Sequence, residues 1–181
     1  MPTFTKHHPP TTLGTTIHIT ALDGLVHVNS IFTLAVFIGL SWNPNDPTNT
    51  LIVDPTCAPT SSSTSVAENL VTFHVYSFAS FLFSSLVAMG LKQAIRISAH
   101  YESYRAFVHT WALRSGMLAS AIGSACGCVF LMLALVNVVQ IKLGSLSCGS
   151  SQSFGAVVPL ITLVPVGLVV YVGFVLYAFT R

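Results

Sequence analysis

The sequence predicts an all-α membrane protein whose subunit has four transmembrane helices, and two observations carry this prediction. Of the 181 residues, 52% are hydrophobic and only 7% are charged, whereas a soluble domain carries about 25% charged residues. Four apolar stretches, at 17–40, 69–91, 115–139 and 154–179, each reach the roughly 20 residues that a helix needs to cross the hydrocarbon core. They are too long and too uniformly apolar to be the alternating strands of a membrane β-barrel.

The same composition excludes two other classes of protein. A net charge of +2 is too small for a nucleic-acid-binding protein that neutralises many phosphates. A disordered chain combines low hydrophobicity with high net charge, and this sequence has neither. We therefore expect the lipid bilayer, and not nucleic acid, to be a partner of the chain.

The basic residues predict the orientation of the four helices. Cytosolic loops carry an excess of Lys and Arg, so the side with more of them is expected to be cytosolic. This places both termini in the cytosol, with residues 1–16 as a cytosolic tail and residues 17–181 as one four-helix domain. Residues 41–64, rich in proline and turn formers, become a lumenal cap. The cytosolic group is Lys6, Lys92, Arg96, Arg105, Arg114 and Arg181, and the opposite side has only Lys142.

Two local patterns concern the beginning of the second helix and the packing of the third. Ser65 and Glu68 form an S-x-x-E capping box directly before an apolar run, which predicts a helix start at that point. Gly123 and Gly127 form a G-x-x-x-G pair in a row of small side chains, a pattern typical of closely packed membrane helices. The sequence leaves open whether this packing occurs within or between subunits.

The four cysteines divide into two pairs with different expectations. Cys57 and Cys148 both lie on the predicted lumenal side, where disulfides form, and we expect a bond between them; two free thiols are the alternative. Cys126 and Cys128 are two residues apart inside the third helix, which places them about 200° apart around its axis. They therefore form neither a redox pair nor a joint metal site.

Polar side chains inside the first helix are the main candidates for function. On a helical wheel Asp23, His27 and Ser30 fall together, and we place Asn29 and Thr33 on the flank of the same half. One interpretation is a pore lined by copies of this helix, in which rings of carboxylates select cations. The other is that the helix begins at Asp23, which caps it. That leaves a helix of about 26 Å, short for a ~30 Å core, so we favour Asp23 inside the helix.

The second helix carries an alternative pore-lining stripe. Its members are polar or aromatic and follow one another at helical spacing, beginning at the lumenal mouth. Buried serine stripes more often mark close packing than a pore, so this stripe ranks second. It comprises Glu68, Asn69, Tyr76 and Ser80, together with Ser77 and Ser84.

The histidines invite a comparison with membrane haem enzymes. Two axial histidines must lie at matching depth on facing helices, but His27 is expected near the cytosolic side and His74 near the lumenal end. His109 is interfacial. No nucleophile–base pair, phosphate-binding glycine loop or H-E-x-x-H motif occurs in the sequence. We therefore expect no enzymatic activity, no resident metal and no cofactor.

Two stretches resemble a known family. These are TIHITALDGLVHVNSIFTLAVFIGLSWNP at 16–44 and ENLVTFHVYSFASFLFSSLVAMGLKQAIRI at 68–97. They resemble the maternal effect embryo arrest-like family of small plant membrane proteins. The resemblance implies an endoplasmic-reticulum membrane protein that assembles as a homopentamer around a central pore. It also implies calcium-permeable, cation-selective conduction and a role in plant immune signalling. It supplies no motif from which pore residues can be transferred.

The sequence-based hypothesis is therefore a homo-oligomeric cation channel lined by the first helix, with Ca²⁺ as a permeant ion. In this hypothesis Asp23 attracts cations, His27 tunes conduction, and Asn29, Ser30 and Thr33 replace water of hydration. The alternative is a non-conducting tetraspan scaffold that organises partner proteins. A membrane redox enzyme is a distant third.

Overall fold

The computed structural model describes residues 11–41, 63–98, 106–143 and 151–180, and all of these are helical. The four helices are α1 (Thr11–Ser41), α2 (Ser63–Ser98), α3 (Ala106–Leu143) and α4 (Ser151–Thr180). Each contains a segment long and apolar enough to span a membrane: Ile19–Ser41, Ser65–Ile97, Trp111–Leu143 and Ser153–Phe174. The all-α class and the four candidate transmembrane helices are confirmed.

Each helix extends beyond the apolar stretch from which it was predicted. Residues 11–16 of the predicted cytosolic tail are helical, and so are Ser41 and residues 63–64 of the predicted cap. Helix α2 starts at Ser63, so Ser65 and Glu68 lie inside its first two turns and not at its cap. Polar residues extend a helix readily once its apolar part is fixed, and apolar stretches alone underestimate its length.

Consecutive helices pack antiparallel, an arrangement that the short connections from α2 to α3 and from α3 to α4 favour. Asp23 of α1 meets Lys92 of α2, while Asn29 meets Ser84, so residue numbers rise in α1 as they fall in α2. Ser84 of α2 contacts Ser120 of α3, and Ser77 contacts Gly127, in the same opposed order. At the junction of α3 and α4, Ser153 donates a hydrogen bond to the Leu143 carbonyl. The beginning of α1 and the end of α4 therefore lie at the same end of the bundle.

Helices α2 and α3 form the central pair, with α1 packed mainly against α2 and α4 against α3. Three apolar clusters follow one another along the bundle axis. The first is centred on Leu22, Ala88 and Ile95, the second on Val36, Phe81 and Leu131, and the third on Leu70, Ala134 and Ile141.

The small residues of α3 bring it close to α2 within the subunit. A Cβ on Gly127 would lie 2.7 Å from the Phe81 ring, and one on Gly123 would lie 3.2 Å from the Ser84 Cβ. One on Gly116 would lie 2.7 Å from Leu91. The predicted packing role of this row is confirmed, and the partner is α2 of the same chain.

Candidate functional site

The polar side chains of α1 point in two directions. Asp23, His27 and Ser30 are exposed on the subunit surface, whereas the Asn29 side chain is completely buried. Asn29 is two residues from His27, and two residues correspond to about 200° of rotation on an α-helix. Our prediction that Asn29 shares a face with Asp23, His27 and Ser30 is therefore wrong. Thr33 lies between the two directions, half-buried, and donates a hydrogen bond to the Asn29 carbonyl.

Asn29 belongs to a buried hydrogen-bond network that joins three helices. Its Nδ2 donates to the Ser84 Oγ over 2.8 Å, and its Oδ1 accepts from the Ser124 Oγ over 2.8 Å. Ser84 in turn donates to the Ser120 carbonyl, and Ser120 donates to the Ser84 carbonyl. We call these four residues the Asn29 network. Buried polar groups are costly unless they are paired, and this network pairs them within the subunit.

The carboxylate of Asp23 forms an ion pair with the Lys92 ammonium group of α2. The Asp23 side chain is 52% exposed and the Lys92 side chain 24%, so the carboxylate is the more outward of the two charges. Asp23 also lies well inside α1, because the helix begins at Thr11. The interpretation of Asp23 as a helix cap is therefore wrong, and its placement inside the helix is confirmed.

His27 lies eight residues after the first residue of the candidate span Ile19–Ser41, or about 12 Å along the helix. Its imidazole is exposed, and no hydrogen bond or ion pair engages it within the described part of the chain. Ser30, on the same side, donates to the Val26 carbonyl of its own helix. The apolar residues Leu34 and Ile38 continue this side, 64% and 63% exposed. We call Asp23, His27, Ser30, Leu34 and Ile38 the outer face of α1.

The alternative stripe on α2 also divides. Ser77 and Ser84 are buried against α3, where Ser77 donates to the Gly127 carbonyl over 2.9 Å. Glu68, Asn69 and Tyr76 are exposed, and Ser80 is half-buried and donates to the Tyr76 carbonyl. The Tyr76 ring packs against Phe130, with 5.4 Å between the ring centroids. Ser77 and Ser84 therefore contribute to the packing of α2 against α3, as expected for buried serines in membrane helices.

The two histidines with described side chains lie at different depths. His74 is buried, its Nδ1–H donates to the Leu70 carbonyl over 2.8 Å, and its ring fills the space where Gly39 lacks a Cβ. Ser84, at the level of Asn29, is ten residues from His74, or about 15 Å along α2. The predicted mismatch in depth between His27 and His74 is confirmed.

Groups of three or more His, Cys, Asp or Glu side chains that could hold a metal ion do not occur among the described residues of one subunit. Cys126 is exposed and Cys128 half-buried, and both are free thiols. The predicted disulfide between Cys57 and Cys148 lies outside the described residues, as does most of the cap.

The sequence analysis missed Lys92 as the partner of Asp23, Ser124 as a partner of Asn29, and Ser120 as a partner of Ser84. The signal for Lys92 was present, because antiparallel neighbours place oppositely charged residues near the same end of two spans. No local signal identifies the serines, which lie 36 or more residues from their partners in the Asn29 network.

The chain matches no protein-family model, no curated protein and no solved structure.

Proposed function

We propose that the chain is the subunit of a homo-oligomeric, cation-selective channel whose pore is lined by the outer face of α1. The observation that carries this proposal is the exposure of Asp23, His27 and Ser30 on one side of a candidate membrane span. An Asp at the centre of a membrane helix costs about 2.5–3.5 kcal/mol, and less near its ends. Such a face is more stable against water or other subunits than against lipid.

Helix α4 provides a contrast within the same molecule. Its described side chains include no charged residue, and large apolar residues are exposed along it: Leu163 is 69%, Val169 72% and Phe174 71% exposed. Lipid solvates such a surface without cost. In an assembly with α1 at its axis and α4 against lipid, the polar side chains of α1 avoid lipid and the apolar side chains of α4 contact it.

The ion pair shapes the field at the proposed pore mouth. Because the Lys92 ammonium group is the less exposed of the two charges, each subunit presents the negative end of a dipole outward. Repeated around an axis, these carboxylates attract cations. In this proposal Asn29 does not line the pore, because its side-chain amide is hydrogen-bonded to Ser84 and Ser124 inside the subunit.

The outer face changes character along the helix. Beyond Ser30 it presents Leu34 and Ile38, which form a hydrophobic constriction when copies of α1 surround an axis. Hydrophobic constrictions close pores by excluding water. The proposed pore therefore has a polar, acidic mouth followed by an apolar gate.

The finer features of the proposal rest on the family resemblance of residues 16–44 and 68–97. They are a homopentameric assembly, calcium permeability, residence in the endoplasmic-reticulum membrane and a role in plant immune signalling. The placement of both termini in the cytosol rests on the distribution of Lys and Arg. Permeating cations and further copies of the chain are its partners, and no enzymatic step is involved.

The proposal is tested by recording currents through the purified oligomer in planar bilayers under a calcium gradient. We expect cation-selective unitary currents whose cation-to-anion permeability ratio falls in Asp23→Asn. Glu68→Gln is the matched control, because it removes an exposed carboxylate from the alternative stripe on α2. If Glu68→Gln lowers the ratio and Asp23→Asn does not, the pore-lining helix is α2.

A non-conducting scaffold is the second candidate, and the Asp23–Lys92 ion pair favours it. A neutralised acid is suited to a static contact between subunits as well as to a pore. If a well-folded oligomer carries no current at any voltage or pH in planar bilayers, the scaffold replaces the channel as the proposed function.

A further inference from the structure

We propose that Asp23 and His27, repeated around the axis of the assembly, bind a zinc ion that blocks the pore. This inference rests on the proposed function, because the axis brings together ligands that one subunit cannot supply alone. The candidate ligands are a carboxylate and an imidazole on the outer face of α1.

The spacing of the two residues is the first support. Residues four apart on an α-helix are neighbours on its surface, with about 5–6 Å between their Cβ atoms. Both Asp23 and His27 are exposed, and His27 makes no hydrogen bond within the described residues. Its imidazole is therefore available to a ligand that approaches from outside the subunit.

The second support is the number of zinc ligands that one subunit supplies. Zinc sites are usually tetrahedral, with ligands such as His nitrogen and Asp oxygen. One subunit offers two such ligands on this face, and its described residues contain no third one nearby. Two copies of the pair, or three His27 side chains from different subunits, complete the coordination that one chain leaves open.

The chemistry of the ligands distinguishes zinc from calcium. Calcium takes six to eight oxygen ligands and has no preference for imidazole, so His27 does not retain it. Zinc binds imidazole readily. A pore lined in this way passes calcium and is blocked by zinc.

Lys92 limits the affinity of the site because its ammonium group holds the Asp23 carboxylate. Zinc must compete with this ion pair for the carboxylate oxygens. Removing the positive charge in Lys92→Met is therefore expected to lower the half-blocking zinc concentration, while the two ligands remain in place.

The test is a titration of calcium-driven currents with ZnCl₂ in planar bilayers. We expect His27→Ala to raise the half-blocking zinc concentration by at least about tenfold. Loss of a residue that only orients a metal ligand already weakens metal binding by about 10- to 100-fold. Cys126→Ser removes an exposed thiol on α3 and is the matched control, with no expected change. In His27→Cys, block by Cd²⁺ is expected to return, since thiolates bind soft metals.

A binding measurement separates this inference from the channel itself. Co²⁺ added to the purified oligomer is expected to give the visible absorption of a tetrahedral site in the wild type and not in His27→Ala. If currents flow but zinc blocks the wild type and His27→Ala equally, or blocks neither, the zinc site is wrong and the channel stands. If no current flows but the His27-dependent Co²⁺ spectrum is present, the channel and the block are wrong and only the metal-binding site stands.

Discussion

At the scale of single residues, the decisive difference lies between Asn29 and Ser30. These neighbours carry polar groups of similar size, yet one is buried among three helices and the other is exposed. Asn29 bonds to residues of α2 and α3, whereas Ser30 bonds to the Val26 carbonyl of its own helix. The type of a polar residue in a membrane helix therefore does not show whether its side chain bonds to another helix or is exposed. Its hydrogen-bond partner shows this.

The two residues give a direct stability test. Asn29→Ala removes two interhelical hydrogen bonds, and such bonds contribute about 0.6 kcal/mol on average and up to about 1.7 kcal/mol each. We expect a loss of about 1–3 kcal/mol in the free energy of unfolding, measured by denaturation in mixed micelles. Ser30→Ala is the control, with a change expected within about 0.5 kcal/mol. Equal losses in the two variants would contradict the structural importance of the Asn29 network.

At the scale of helices, glycine positions separate packed surfaces from open ones. In Gly127→Ala the new Cβ lies 2.7 Å from the Phe81 ring, and overpacking of this kind costs about 1–3 kcal/mol. Gly167 of α4 has no neighbouring atom within 4 Å, so Gly167→Ala is expected to preserve stability or raise it slightly through helix propensity. Thermal unfolding of both variants in the same detergent makes the comparison. A larger loss in Gly167→Ala would contradict the assignment of α3 as the close-packed helix.

The outer face of α1 allows a second test at this scale. Leu34→Ser introduces a polar group into the proposed apolar gate, which lets water enter and is expected to raise the open probability in bilayer recordings. Leu163→Ser on α4 is the matched control, because the two leucines are 64% and 69% exposed. Gating that changes only in Leu163→Ser would place the axis at α4.

At the scale of the whole molecule, the outer face of α1 begins with the exposed polar side chains of Asp23, His27 and Ser30, whereas α4 exposes apolar side chains such as Leu163 and Val169. In an isolated subunit surrounded by lipid, the polar side chains of α1 would lie against hydrocarbon. Contact between copies through α1 removes these side chains from lipid, and a closed ring is the usual symmetric arrangement of repeated contacts between different surfaces. The predicted disulfide between Cys57 and Cys148 would tie the first helix pair to the second and stays a prediction.

Cross-linking between subunits tests this arrangement. In membranes, Ser30→Cys is expected to give linked dimers and higher species with a short bifunctional maleimide, because the proposed assembly places copies of α1 around one axis. Leu163→Cys is expected to react with a soluble maleimide reagent less well than with a lipid-soluble one and to remain uncross-linked. Efficient cross-linking at Leu163→Cys, and none at Ser30→Cys, would reverse the orientation of the subunit in the assembly.

The number and approximate position of the helices could be read from the sequence because the bilayer is a uniform solvent. Any stretch of about 20 apolar residues is driven into it, regardless of what its individual side chains contact. The extra turns at the beginning of α1 escaped prediction, since polar residues beyond the apolar stretch are helical without an apolar signal. The small residues of α3 were recognisable as a packing surface, but not their partner.

Four membrane-length helices, polar groups within α1 and close packing of α3 all follow from the amino-acid sequence. The inward direction of Asn29, the pairing of Lys92 with Asp23 and the exposure of His27 follow from the packing of the helices. The physical reason is that the rotation of a helix is set by the sum of its contacts with other helices. In the Asn29 network those contacts join residues 36 to 95 positions apart, which no local pattern encodes.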